Sequence, residues 1–148
     1  MRILLWTLAA ALSFSTLLIA ADQTGTWKMN LRKSKVSSDV QSMTATVELV
    51  GPNTYRIVTE TFPKEGPSRH NEVAVTYDGK PHQLKSGAID VLTHPDPLTW
   101  KTVQTRDGKV GTELVITLSG DGKTRIYRSK IFKPDGQTVE ELRYYERQ

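Results

Sequence analysis

Three histidines, His70, His82 and His94, recur at twelve-residue intervals. In a run of antiparallel strands such spacing can set side chains of neighbouring strands at one level, and three imidazoles together are a zinc-type ligand set. Their neighbours argue against that use. His70 ends a Pro/Gly-rich stretch, His82 follows Pro81 and His94 precedes Pro95, so all three read as loop-edge residues. No metal, haem or other cofactor is expected, and an enzyme built on these histidines is the least favoured reading. The chain has no cysteine, no G-x-S-x-G and no H-E-x-x-H, so the usual nucleophile and metalloprotease arrangements are missing. Residues 119 to 123, "SGDGK", look superficially like a phosphate loop but lead into strand-type sequence, with no helix N-terminus to receive an anion. Glu140 and Glu141 are adjacent and point to opposite faces of a strand, which separates them as an acid–base pair. The Asp-Gly sites lack the ligand spacing of a calcium loop. No catalytic residue is expected.

The elements that must position whatever chemistry remains are strands. Thr, Val, Ile and Tyr are spread along the chain without helical spacing, and Asp-Gly occurs at Asp78-Gly79, Asp107-Gly108, Asp121-Gly122 and Asp135-Gly136. Asp-Gly between alternating segments signals a hairpin. The last three are fourteen residues apart, which describes successive strand-plus-turn units of an up-and-down meander. A two-residue turn at Asp121-Gly122 pairs Leu118 with Arg125, Ile116 with Tyr127, Leu114 with Ser129 and Thr112 with Ile131, with Glu113 meeting Lys130 on the other face. At Asp135-Gly136 two registers compete. A two-residue turn pairs Tyr127 with Tyr144, Ser129 with Leu142 and Arg125 with Glu146. A three-residue loop with a bulge at Gly136 slips the pairing by one and turns Arg143 and Tyr145 inward. Burial of Leu142 and Tyr144 favours the first.

Upstream, "SMTATVELV" alternates as a half-buried strand and forms a hairpin with "TYRIVTETF" across "GPN". The stretch "PKEGPSRH" is too rich in Pro and Gly for a strand, and "EVAVTY", "KPHQL", "AIDVLT" and "LTWKTVQT" follow, with Pro95 and Pro97 forcing a break. Counting "GTWKMN", the total is about eight to ten strands, and closure into an all-β antiparallel up-and-down barrel removes the edges that so many long strands would expose.

Length and composition suit one domain preceded by a leader. In the 148-residue chain, Arg2, the apolar run 3–19 and the small residues Ala20 and Ala21 read as a secretory signal, residues 1–21, cut after Ala21 or else after Ala20. The domain is then 22–148, with a periplasmic or secreted location, no membrane anchor once the leader is removed, and no cysteine to carry a lipid or a disulfide. Only 39 of these 127 residues are hydrophobic, which fits a sheet with one wet face or a barrel with a partly polar interior. The charge of the whole chain, +4, is mild and scattered, and points away from nucleic acid. A monomer is expected.

Gly25-x-Trp27 on the first strand resembles the first-strand signature of the lipocalins and their calycin relatives. The resemblance implies a Trp that closes one end of the barrel beneath a basic side chain from the final strands, here Arg143 or Arg147. The polar stretch after it, up to "SSDVQS", would then pass over the barrel rim. "GTWKMNLRKSKV", "YDGK" at Tyr77 to Lys80 and "YERQ" at Tyr145 to Gln148 are also similar to a set of small exported bacterial proteins. The T-D-Y type lipocalin motif is missing. Arg125-x-Tyr127 and Arg143-x-Tyr145 each resemble the Arg-x-Tyr pair with which fatty-acid carriers of the calycin group hold a carboxylate, and an Arg fork with a phenol suits that group. The bland alternative sets Arg125 at a rim, satisfied by Glu146. The function these features imply is non-catalytic binding of a small apolar or amphipathic molecule in the lumen, with Leu114, Ile116, Leu118, Tyr127, Leu142 and Tyr144 inward and Arg125 as the polar handle. A barrel filled by its own side chains, serving as a structural or interaction module of the cell envelope, is the alternative.

Overall fold

A computed structural model describes residues 22–36 and 39–148, and the expected leader lies outside the described residues. The domain is a single ten-stranded antiparallel sheet with no α-helix among the described residues. In chain order the strands are β1 (Gly25–Met29), β2 (Val40–Gly51), β3 (Thr54–Pro63), β4 (Arg69–Thr76), β5 (Pro81–Gln83), β6 (Ile89–Asp96), β7 (Thr99–Arg106), β8 (Lys109–Leu118), β9 (Thr124–Phe132) and β10 (Thr138–Arg147). Each strand pairs with its sequence neighbour, and β1 also pairs with β10, so the meander curls round until first and last strands meet. The break in the ring falls between β4 and β5, which share no ladder. Asp78-Gly79 is therefore no hairpin turn. It lies in the segment joining the two sheet edges, where Tyr77 donates its N–H to Asn53 O (2.9 Å) and Gly79 donates to Leu92 O (2.8 Å).

The other three Asp-Gly sites are hairpins of three kinds. Asp107 and Gly108 both have positive φ (50° and 70°) and close a two-residue turn in which Arg106 faces Lys109, as a mirror-image turn requires. Around Asp121-Gly122 the loop has four residues, but it is centred on the same bond, so all five expected pairs, Leu118–Arg125 to Thr112–Ile131 and Glu113–Lys130, are present. At Asp135-Gly136 the loop has three residues between Lys133 and Gln137, with Gly136 at φ 84°. This is the bulged register. Tyr127 faces Arg143 and Arg125 faces Tyr145. Arg143 and Tyr145 turn inward, while Leu142 and Tyr144 lie on the outer wall, contrary to the sequence expectation.

The outer wall accommodates those two residues because the segment after β1 covers it. A single 3-10 turn (Leu31–Lys33), capped by the Asn30 side chain, leads to Lys35, which bridges to Leu142. The Lys33 ammonium sits 4.6 Å from the centre of the Tyr144 ring and pairs with Glu146 (3.2 Å). This part of the polar stretch thus runs beside β10, continuing the edge that β1 pairs with, and sends the Lys33 side chain over its outer face. Two smaller differences concern prolines and loops. Pro95 lies within β6, at a register irregularity between Thr93 and Asp96, and β4 begins at Arg69, inside the stretch expected to be loop. Both are positions where an edge or bulge tolerates departures from a regular ladder.

The core fills one end of the barrel. Trp27, Val47, Tyr55, Trp100, Ile116, Leu118 and Tyr145 form one buried cluster with Met29, Met43 and Tyr77. Trp27 has no exposed surface. Gly25 (φ 116°) is required here, because a Cβ at this position would stand 2.7 Å from Arg147 Nη1.

Candidate ligand-binding site

Alternation on β8, β9 and β10 lines the lumen with Thr112, Leu114, Ile116 and Leu118, then Arg125, Tyr127, Ser129 and Ile131, then Glu141, Arg143 and Tyr145. Towards the closed end these side chains are packed. Towards the other end they are not: the inward-facing Ile131 is 37% exposed, and Val73, which faces the buried Ile57, is 41% exposed. A cavity of about 220 Å³ opens there, lined by Thr112, Leu114, Tyr127, Ser129, Ile131, Glu141 and Arg143. The lumen is filled at the Trp27 end and open at the other.

In the filled end, opposite Leu118 and Tyr145, stands Arg125, with no exposed surface, and Tyr127, two residues along β9, is the next inward side chain towards the cavity. Its Nη2 donates to Gln23 Oε1 and to the Tyr127 hydroxyl, each at 3.0 Å. Its guanidinium carbon lies 4.8 Å from the Tyr127 ring centre and 5.9 Å from that of Trp27. Its Nε and Nη1 have no partner, and neither of its oxygen partners carries a formal charge. The expected alternative partner, Glu146, is on the outer wall with Asn30 and Lys33, whose hydrogen bonds hold its carboxyl below the usual range. Among the described residues this guanidinium thus has no acidic partner.

The bulged register brings the second Arg-x-Tyr pair to the same wall. Arg125 faces Tyr145 and Tyr127 faces Arg143, so the two arginines are diagonal neighbours, roughly 7–8 Å apart at that spacing. The rings of Tyr127 and Tyr145 meet edge to face at 5.8 Å. Arg143 differs from Arg125 in having an acidic partner, since its Nη2 donates to Glu141 (2.8 Å). Burial pushes the Tyr145 phenol up to about 12, Tyr127 adding to the shift while Arg143 and Arg125 oppose it; its hydroxyl donates to Met43 Sδ (2.9 Å). Burial raises Tyr77 as well, with Tyr127 adding and Arg125 opposing.

The plug at the closed end also differs from one expectation. The cation over Trp27 is Arg147, 4.3 Å from the ring centre, and not Arg143. Arg147 binds the carbonyls of Gly122 (2.7 Å), Asp22 (2.7 Å) and Thr24, lacing the start of the domain to the β8–β9 loop. Trp27 Nε1 donates to Gln23 O (2.9 Å). Of the residues anticipated in the lumen, Leu114, Ile116, Leu118, Arg125 and Tyr127 face it and Leu142 and Tyr144 do not. Gln23, Tyr77 and Trp100 belong to the same interior and were not anticipated. Trp100 shows in the alternation of "LTWKTVQT", whereas Gln23 precedes the first strand and has no pattern to reveal it. The histidines are dispersed. His70 pairs with Glu60, His82 with Asp78 (2.8 Å), and His94 stacks on Trp100 at 4.5 Å. Among the described residues no three metal-ligating side chains come together.

The ten strands make an antiparallel barrel whose fold is similar to that of fatty-acid-binding β-barrels. No protein-family profile and no curated protein matches the chain. Solved structures do match. A Schistosoma mansoni fatty acid binding protein in complex with arachidonic acid aligns over 88% of this chain and 98% of its own, with a TM-score of 0.59 and 14% identity. The wild-type fluorescent protein UnaG aligns over 84% and 96%, with a TM-score of 0.58 and 16% identity. At such identity the likeness concerns the fold.

Proposed function

We propose that this chain is an exported, monomeric, non-catalytic carrier of an amphipathic carboxylic acid, held with its head group on Arg125 and its chain directed to the open end. The observation that supports this is the state of Arg125: wholly buried, charged, with two unpartnered donors and no acid to neutralise it. A buried cation of this kind is destabilising unless an anion accompanies it. Leu114 and Ile131 give the cavity beyond it an apolar wall, suited to a hydrocarbon chain. The leader-like first 21 residues support export, and the fatty acid in the parasite barrel supports the ligand class.

The test is displacement of N-phenyl-1-naphthylamine, an uncharged fluorescent probe, by dodecanoate and by dodecan-1-ol. Hydrogen bonds to a charged group contribute about 1.5–3 kcal/mol, so the acid should bind at least about tenfold more tightly than the alcohol. Arg125→Met should remove that preference. Equal affinities for acid and alcohol in the unaltered protein would overturn the proposal.

A further inference from the structure

Of the seven described residues that line the cavity at the open end, Leu114 and Ile131 alone have wholly apolar side chains. A ligand that is hydrocarbon throughout would leave the rest of that wall without partners. The polar groups have a definite arrangement. Leu114, Ser129 and Glu141 stand in one row across β8, β9 and β10, one step towards the open end from Ile116, Tyr127 and Arg143. Glu141 receives Arg143 Nη2 on its Oε2 (2.8 Å), and its side chain is only 19% exposed. Its Oε1 bonds to no other described group, and neither does the hydroxyl of Ser129, which is paired directly opposite it. Ser129 is the smallest side chain of its row, so the space at that level lies in front of it, between Leu114 and Glu141.

A carboxylate oxygen that accepts, beside a hydroxyl that donates or accepts, is matched by a neutral group able to do both. A second carboxylate at this level would be repelled by Glu141, and an ammonium by Arg143. From this geometry we infer that the cavity takes a chain bearing a hydroxyl, which donates to Glu141 Oε1 and accepts from Ser129 Oγ, with Leu114 against the neighbouring methylenes. The ion pair of Glu141 with Arg143 is neutral as a whole and fixes the acceptor in the wall. This inference rests on the carrier reading above and narrows its ligand class to hydroxylated amphipathic acids. Ser129 lies four residues along β9 from Arg125, roughly 13 Å at the usual strand rise, so a carboxylate drawn to Arg125 sets the hydroxyl about ten to twelve carbons along an extended chain.

The same displacement assay tests this with 12-hydroxydodecanoate beside dodecanoate. Against a wall of hydrocarbon the added hydroxyl would lose its bonds to water and weaken binding about tenfold or more. Here 12-hydroxydodecanoate should bind at least as tightly as dodecanoate. Ser129→Ala leaves the pair of Glu141 and Arg143 in place and removes one partner of the hydroxyl. It should weaken the hydroxy acid about three- to tenfold and leave dodecanoate unchanged. Tighter binding of dodecanoate by the unaltered protein, or a ratio of the two acids that Ser129→Ala does not move, overturns the inference while the carrier reading stands. If dodecanoate shows no preference over dodecan-1-ol, the carrier reading fails, and with it this one.

Discussion

Replacing a fully buried arginine ordinarily unfolds a domain, yet Arg125→Met should leave this one about as stable. Two unpartnered donors cost about 2 kcal/mol each, and the residual penalty for holding the charge out of water adds about 2–3 kcal/mol. Against these stand two hydrogen bonds from a charged donor, about 2 kcal/mol each, and a cation over the Tyr127 and Trp27 rings, about 1–2 kcal/mol. These terms favour methionine by about 1 kcal/mol, and the flexible thioether fills the space of the arginine stem, but the fully buried Gln23 Oε1 loses its donor, which costs about 1–2 kcal/mol, so the two sides nearly cancel. For a domain of this size the midpoint of thermal unfolding should stay within roughly 4 °C of that of the unaltered protein without ligand. With dodecanoate at one hundred times its dissociation constant, the unaltered protein should gain about 2.7 kcal/mol and the variant, binding about tenfold more weakly, about 1.4 kcal/mol. Circular dichroism melts at equal protein concentration, with and without dodecanoate, read both effects. A loss of about 3 kcal/mol or more in the ligand-free variant, the size expected when a satisfied buried charge is broken, would refute the premise that Arg125 lacks a counter-ion.

Two further predictions concern the last strand and the tyrosines. Tyr145→Ala should destabilise by about 3–5 kcal/mol, as for a large buried ring, while Tyr144→Ala on the outer wall should cost less than about 1.5 kcal/mol; urea titration separates them, and the reverse order would restore the unbulged register. Tyr77 and Tyr145 both have phenols raised above the ordinary value near 10, so the folded state keeps protons that the unfolded chain releases. Their contribution is complete below pH ~10 and is lost as the pH climbs towards 12. Melting temperatures at pH 8 and pH 11 should diverge less in Tyr145→Phe than in the unaltered protein, and an equal drop in both would count against the burial of this phenol.

Much of the barrel was legible because its hairpins carry Asp-Gly turns and because a register centred on a given bond survives a change in loop length from two residues to four. That is why every pair expected between β8 and β9 is present although the loop is longer than a minimal turn. An odd change is different, since it exchanges the two faces of a strand. At Asp135-Gly136 the choice between faces was made on hydrophobicity, with Leu142 and Tyr144 against Arg143 and Tyr145. That criterion assumes that the outer face meets water. Here the Lys33 ammonium covers Tyr144 from outside and Lys35 pairs with Leu142 along the strand, contacts made by residues more than a hundred positions away. It also assumes an apolar interior, whereas this lumen takes Arg143 with Glu141 and leaves part of its wall solvated.

The odd loop has a consequence for the site itself. Arg-x-Tyr occurs on β9 and again on β10, and in adjacent antiparallel strands the two motifs can interlock, each arginine opposite the other motif's tyrosine, only if the pairing relates 125 to 145 and 127 to 143. The alternative register would leave Arg125 and Tyr127 inside and send Arg143 and Tyr145 out. Glu141 would leave with them, because it shares their face. The bulge at Gly136 therefore decides whether the lumen holds one arginine or two, and whether the cavity above Arg125 is bounded by an ion pair or by leucine and tyrosine. With the bulge, Glu141 neutralises Arg143 and leaves Arg125 without an acidic partner among the described residues. Under the carrier proposal, the direction in which a ligand's head group would lie is thus set by a three-residue loop, Pro134 to Gly136, at the far tip of the hairpin.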